Sequence, residues 1–193
     1  MSITKFNPRT LTLFAFIFAT GIIRTIINFD ENISILSNFS PLGAMALFGG
    51  VYFNRQWKAF AFPIFSLLVS DLILHQTVFR KYGNGVLYDG WYYVYGAILI
   101  MVMVGWLIRK VNIGNIFLAT LAVVFIHWTV TDLGVWLNNP KFPQTFEGYF
   151  ECLVLAIPFE WRFFVGTLAY GAALFGAFEW MKKKNPVLAT HKV

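Results

Sequence analysis

The sequence has 193 residues, of which 58% are hydrophobic and 12% are charged, with a net charge of +6. An ordinary water-soluble domain carries about twice that charged fraction, so the composition excludes this class. The basic residues flank apolar runs instead of following one face, which argues against nucleic-acid binding. A single cysteine, Cys152, excludes an internal disulfide.

Six apolar runs, separated by short polar or basic clusters, predict an all-α integral membrane bundle in one domain, residues 1–193. In chain order, the predicted spans are residues 11–27, 41–53, 59–74, 91–108, 113–137 and 163–181. The first run is long and lacks a small-residue cleavage site, so we expect it to be retained and not removed as a signal peptide. Residues 138–161 contain three prolines and are expected to form an outer connecting segment before the last span.

The lysines and arginines are distributed unequally between the two sides of this bundle. With the N-terminus in the cytoplasm, ten lie in cytoplasmic segments, four lie in outer segments, and Arg24 lies within the first span. The cytoplasmic set is Lys5, Arg9, Arg55, Lys58, Arg109, Lys110, Lys182, Lys183, Lys184 and Lys192, and the outer set is Arg80, Lys81, Lys141 and Arg162. The positive-inside rule therefore predicts that both termini are cytoplasmic.

The second span is unusually short. Its 13 residues make ~20 Å of helix, whereas a bilayer core is about 30 Å thick. Ser40 can cap this helix, and a proline follows in its first turn. If the helix begins at depth, its free N–H groups favour an anionic or hydrogen-bond-accepting ligand. Alternatively, the helix is capped by Ser40 and simply begins a turn or two earlier. Gly43, Ala46 and Gly50 share one face and predict close helix packing.

Several charged residues lie in the outer halves of the predicted spans. An ionised side chain at the bilayer centre costs roughly 3 kcal/mol, so such residues usually pair or line a cavity. One interpretation is an outward-facing polar pocket around Arg24, Asp71, His127 and Asp132; the other is an Arg24–Asp71 pair that only locks the bundle. The candidate substrate-binding residues are Arg24, Asn38, Ser40, Gly43, Asp71, His127, Trp128, Asp132 and Trp136.

Other chemistries have weaker support in the sequence. His127 and Asp132 are five residues apart and do not share a helix face, so we expect no metal site. Haem ligation by His75 and His127 remains a minor alternative. The sequence has no zinc-protease motif, no serine-nucleophile motif and no ATP phosphate-binding loop. We therefore expect a protein that is not an enzyme, has no cofactor and takes any transport energy from a partner.

The segments NFSPLGAMALFGG (38–50), SDL (70–72), LGVW (133–136), FPQT (142–145) and AIPF (156–159) resemble a bacterial family of small membrane proteins of unknown function. The resemblance covers about residues 24–179 and implies a bacterial inner-membrane location.

The size and six-helix plan are also distantly similar to the S components of energy-coupling-factor (ECF) vitamin transporters. Those proteins bind a vitamin or metal near the outer face and dock on a separate ATPase module. In that group, small residues on the first helix contact the module, and Ala15 and Ala19 match this motif. The similarity implies a substrate-binding subunit for uptake of a small polar molecule or vitamin. The alternative is a non-transporting accessory subunit of a larger membrane complex.

Overall fold

The computed structural model describes residues 7–28, 38–53, 57–78, 80, 85–137 and 139–189. Over these residues the chain is helical and contains no strand, which confirms the all-α prediction. The helices are α1 (Pro8–Asn28), α2 (Leu42–Tyr52), α3 (Lys58–Thr77), α4 (Trp91–Leu107), α5 (Ile113–Trp136), α6 (Phe146–Lys184) and α7 (Pro186–Ala189).

In the described part of the chain, four helices are long and apolar enough to cross a membrane: α1, α3, α5 and α6. Two shorter apolar helices accompany them, α2 with 11 residues and α4 with 17. At 1.5 Å per residue, α2 is ~17 Å long and α4 is ~26 Å long. The helices begin and end near the predicted positions up to the end of α5. That all six cross the membrane stays a prediction.

The prediction for the last span was wrong at its start. We expected a connecting segment up to residue 161, but residues 146–162 form the first part of the 39-residue helix α6. Pro158 lies inside this helix and deprives the Val154 carbonyl of a backbone donor. One residue earlier, the indole N–H of Trp128 in α5 donates to the Leu153 carbonyl at 3.0 Å.

Helix α2 lies at the centre of the bundle and packs against α3, α4, α5 and α6. All of its residues except Val51 are buried, as expected for a helix that is apolar on every side. A Cβ atom added at Gly50 would lie 2.9 Å from the Cα atom of Gly105 in α4. A Cβ atom added at Gly43 would lie 3.2 Å from the Phe163 ring in α6. The predicted close packing is therefore confirmed at both glycines, but Gly50 packs on α4 and Gly43 packs on α6.

Two ends of the bundle differ in their polar residues. At the basic end, which contains Arg9, Tyr52, Arg109, Lys182 and Leu188, the start of α1 meets the ends of α2, α4 and α6. There the Arg9 guanidinium donates to the Leu188 carbonyl and, at 3.1 Å, to the Tyr52 carbonyl. Helix α1 thus begins close to where α6 ends, and the cytoplasmic location of both termini stays a prediction.

The opposite, polar end contains the end of α1, the end of α3, the segment before α4 and the end of α5. Its buried charged residues are Asp71 in α3 and Asp132 in α5, and Glu160 lies toward this end of α6. Glu160 was expected just outside a membrane span, together with Glu151 and Arg162. All three instead lie within α6.

Candidate functional site

A buried ion pair joins α1 to α3 at the polar end. Arg24 Nη2 lies 2.7 Å from Asp71 Oδ1, and the Asp71 side chain is 1% exposed. Arg24 Nη1 also donates to the Ser70 hydroxyl at 2.6 Å, and the Thr25 hydroxyl donates to the same oxygen at 2.9 Å. The two charged residues singled out in the first and third helices are therefore in direct contact.

Two tyrosine hydroxyls also hydrogen-bond the Asp71 carboxylate. Tyr95 in α4 donates to Asp71 Oδ2 at 3.2 Å, and Tyr88, in the segment before α4, also hydrogen-bonds this carboxylate. Burial, followed by the negative charge of Asp71, raises the pKa of Tyr88 above its ordinary value, so its hydroxyl stays a donor. Asp71 thus ties α1, α3, α4 and the 85–90 segment together. Neither Tyr88 nor Tyr95 was among the candidate site residues, and both are partners of Asp71 in the structure.

A cavity of about 420 Å³ adjoins this cluster and is lined by residues 85–92. Its side chains include Tyr88, Asp89, Trp91 and Tyr92. The Trp91 ring packs edge-on against Tyr95 with a centroid distance of 5.3 Å. Gly90 precedes α4 with φ of +79°, a left-handed conformation that suits glycine. The cavity therefore combines aromatic faces, an exposed carboxylate and the phenol that is held by Asp71.

A second polar cluster lies between α5 and α6. His127 Nδ1 is 2.9 Å from Glu160 Oε1 and 3.1 Å from Oε2, and its ring stacks on Phe163 at a centroid distance of 3.9 Å. Asp132 is buried further along α5, and its Oδ2 atom has no hydrogen-bond partner among the described residues. The Cys152 thiol donates to the Asp132 carbonyl over 3.8 Å. Glu160 was not among the candidate site residues, because the segment that contains Pro158 was expected to lie outside the last membrane span.

Trp128 and Trp136, two of the candidate substrate-binding residues, both donate a hydrogen bond to a backbone carbonyl. Trp128 donates to α6, as described above, and the Trp136 indole N–H donates to the Pro143 carbonyl at 2.8 Å. The Trp136 ring also packs 5.4 Å from the Tyr149 ring. These contacts hold the α5–α6 hairpin together.

The start of α2 faces α6. Asn38 has φ of +69°, and its carbonyl accepts from the Ser40 N–H at 2.8 Å. The Ser40 hydroxyl accepts from the Leu42 N–H at 3.3 Å, so Ser40 contributes to the predicted helix start. Phe163 lies between Gly43 and the His127 ring. The structure thus brings the start of α2 close to the His127–Glu160 cluster.

The predicted site residues therefore form two clusters, one around Arg24–Asp71 and one around His127–Glu160. Arg24, Asp71, His127 and Asp132 do not line the cavity of residues 85–92, and they do not line the cavities between α1 and α3, between α5 and α6, or at the basic end. Ala15 and Ala19 are exposed on α1.

His75 and His127, the two candidate haem ligands, contact different partners: His75 Nε2 lies 3.0 Å from the Gly85 carbonyl oxygen, and His127 pairs with Glu160. Across the described ranges, no group of three His, Cys, Asp or Glu residues is placed to hold a metal ion.

Removing the charge of Glu160 tests the second cluster. We expect Glu160→Gln to lower the free energy of unfolding by about 1–2 kcal/mol, because it weakens a buried charge-assisted hydrogen bond to His127. Thermal unfolding in detergent measures this effect. Glu151→Gln is the matched control, since Glu151 is exposed on the same helix. Equal melting temperatures for the two variants would contradict a stabilising role for the His127–Glu160 contact.

Together, the helix lengths, the apolar surface and the buried charge clusters define a helical bundle of the membrane-protein type. A family model matches residues 4–188, and the chain belongs to that family of unknown function, DUF6580. This match confirms the resemblance to an uncharacterised family. It does not extend to the S components of ECF transporters, and that similarity stays a prediction. No curated protein and no solved structure matches the chain.

Proposed function

We propose that this protein is a six-span inner-membrane subunit that binds a small polar molecule at its polar end for uptake, as S components do. The observation that carries the proposal is the cavity of residues 85–92, whose Tyr88 is hydrogen-bonded to the buried Arg24–Asp71 pair. The cavity volume of about 420 Å³ lies within the range of small-molecule sites.

The lining of the cavity favours a molecule with a positive charge or several hydrogen-bond donors. Asp89 is exposed and supplies a carboxylate, while Trp91 and Tyr92 supply aromatic faces that attract cations. Because Asp71 fixes the Tyr88 hydroxyl, one wall of the cavity is held in place before a ligand binds. Such preorganisation reduces the entropic cost of binding.

The distribution of charge supports the orientation. Arg9, Arg109, Lys110 and Lys182 gather at the basic end, which the positive-inside rule places in the cytoplasm. The polar end then faces outward, where an uptake protein meets its substrate.

The chain contains no ATP phosphate-binding loop and cannot hydrolyse ATP by that route, so the proposal includes a separate partner that supplies the energy. We propose that an ATPase module docks on the face of α1 that exposes Ala15 and Ala19. Small residues allow close approach of another helix.

Ligand-induced stabilisation of the purified protein tests the binding function. We expect cationic members of a panel of vitamins and small amines to raise the melting temperature in detergent. At a ligand concentration of 100 times Kd, the stabilisation is about 2.7 kcal/mol. Asp89→Asn should reduce it, whereas Glu147→Gln, which alters an exposed carboxylate outside the cavity, should not. An absence of stabilisation by the whole panel, or an undiminished response in Asp89→Asn, would contradict the proposal.

A non-transporting accessory subunit is the second candidate. The exposed alanines Ala169, Ala173 and Ala177 recur every four residues on α6, a spacing that favours contact with another membrane helix. Crosslinking in native membranes separates the candidates: an accessory subunit remains bound to a larger complex, and its stability does not respond to small molecules.

A further inference from the structure

An apolar cleft of about 420 Å³ separates the start of α5 from the last turns of α6, near the basic end. Ile116, Phe117 and Phe175 supply much of its wall. The cleft is open because α6 has Gly171 and Gly176 there, and no described atom outside the local helix backbone lies within 4 Å of a Cβ added at either position. An apolar slot of this volume accommodates an extended hydrocarbon chain.

A second cavity, of about 380 Å³, adjoins the cleft and shares Val111 and Glu179 with it. Four basic residues line this second cavity: Arg9, Arg109, Lys110 and Lys182. Glu179 is its single acidic lining residue among those described.

The carboxylate of Glu179 already has hydrogen-bond and ion-pair partners within the protein. It accepts from Lys182 at 2.8 and 3.0 Å and from the Tyr52 hydroxyl at 2.6 Å. Arg109 and Lys110 are exposed, and neither forms an ion pair with a carboxylate in the described part of the chain. The basic cavity therefore retains an excess of positive charge that an anion can neutralise.

We infer that the cleft and the basic cavity together form a binding site for one anionic phospholipid. One acyl chain lies in the cleft between α5 and α6, and the phosphate of the headgroup contacts Arg109 and Lys110. Basic pockets beside apolar grooves at the cytoplasmic membrane surface are suited to anionic headgroups. The site lies at the opposite end from the proposed substrate cavity and does not depend on it.

Native mass spectrometry of the full chain in detergent, titrated with phosphatidylglycerol or phosphatidylcholine of the same acyl chains, tests this inference. We expect tighter binding of phosphatidylglycerol. The double variant Arg109→Gln, Lys110→Gln should weaken that binding by on the order of tenfold or more and remove the preference. Lys184→Gln is the charge control, because Lys184 lies at the same end but does not line the basic cavity.

Gly176→Leu fills the cleft and should weaken binding of both lipids, whereas Gly96→Leu should not. Both glycines face open space, so leucine fits at either position. Equal affinity for the two lipids, or unchanged binding in Arg109→Gln, Lys110→Gln and in Gly176→Leu, would overturn the proposal. Competition by glycerol phosphate as effective as that by the intact lipid would assign the basic cavity to a soluble phosphate compound and would also overturn it.

Discussion

Asp71→Ala is expected to lower the free energy of unfolding by about 3–5 kcal/mol, because it leaves the Arg24 guanidinium without its partner in a poorly hydrated site. The same substitution removes the acceptor used by Tyr88 and Tyr95. Unfolding in mixed detergent micelles, followed by circular dichroism, measures the loss. Asp89→Ala is the matched control, since this carboxylate is exposed and should change stability by less than about 0.5 kcal/mol.

A double-mutant cycle separates the ion pair from general packing. Arg24→Met should destabilise the protein because Asp71 then lacks its cation, but Arg24→Met combined with Asp71→Leu should cost less than the sum of these two single substitutions. The two apolar side chains replace the pair without leaving a buried charge. If Asp71→Ala were no more harmful than Asp89→Ala, the Arg24–Asp71 contact would not stabilise the bundle.

Gly50→Leu is expected to prevent accumulation of folded protein, with a destabilisation above about 4 kcal/mol. Any side chain at Gly50 meets the backbone of α4, since an added Cβ lies 2.9 Å from the Gly105 Cα. A backbone atom cannot move aside as a flexible side chain can, so α2 and α4 would have to separate. The measurement is the yield of monodisperse protein after extraction from the membrane.

Gly96→Leu is the control for this prediction. Gly96 lies on α4, and no described atom beyond its local backbone is within 4 Å of an added Cβ. Leucine also has a higher helix propensity than glycine, by up to about 1 kcal/mol. Comparable losses of folded protein for Gly50→Leu and Gly96→Leu would show that the α2–α4 approach is not tightly packed.

The sequence was sufficient to locate five of the helices, because apolar runs bounded by polar clusters mark where chain can enter lipid. The prediction failed for α6. Pro158 was expected to lie in a connecting segment before the last span, but α6 continues through it and packs against α5. The hydrogen bond from Trp128 to the Leu153 carbonyl is a tertiary interaction, so no local sequence pattern near residue 158 predicts it.

The candidate site was partly predictable for the same reason. Charged residues in apolar helices are costly when isolated, which correctly drew attention to Arg24 and Asp71. Their further partners depend on which helices are neighbours. Tyr95 is 24 residues from Asp71, and Glu160 is 33 residues from His127. Residues this far apart in the sequence are not linked by helical periodicity, so these pairs can be identified only from the packed structure.

The orientation of the bundle is tested most directly by labelling introduced cysteines from one side of the membrane. In a Cys152→Ala background, Asp89→Cys places a thiol at the polar end and Lys184→Cys places one at the basic end. Intact spheroplasts treated with a membrane-impermeant maleimide should label Asp89→Cys, and Lys184→Cys should react only after the membrane is permeabilised. Labelling of both positions from outside, or of Lys184→Cys alone, would contradict an outward polar end and a cytoplasmic basic end.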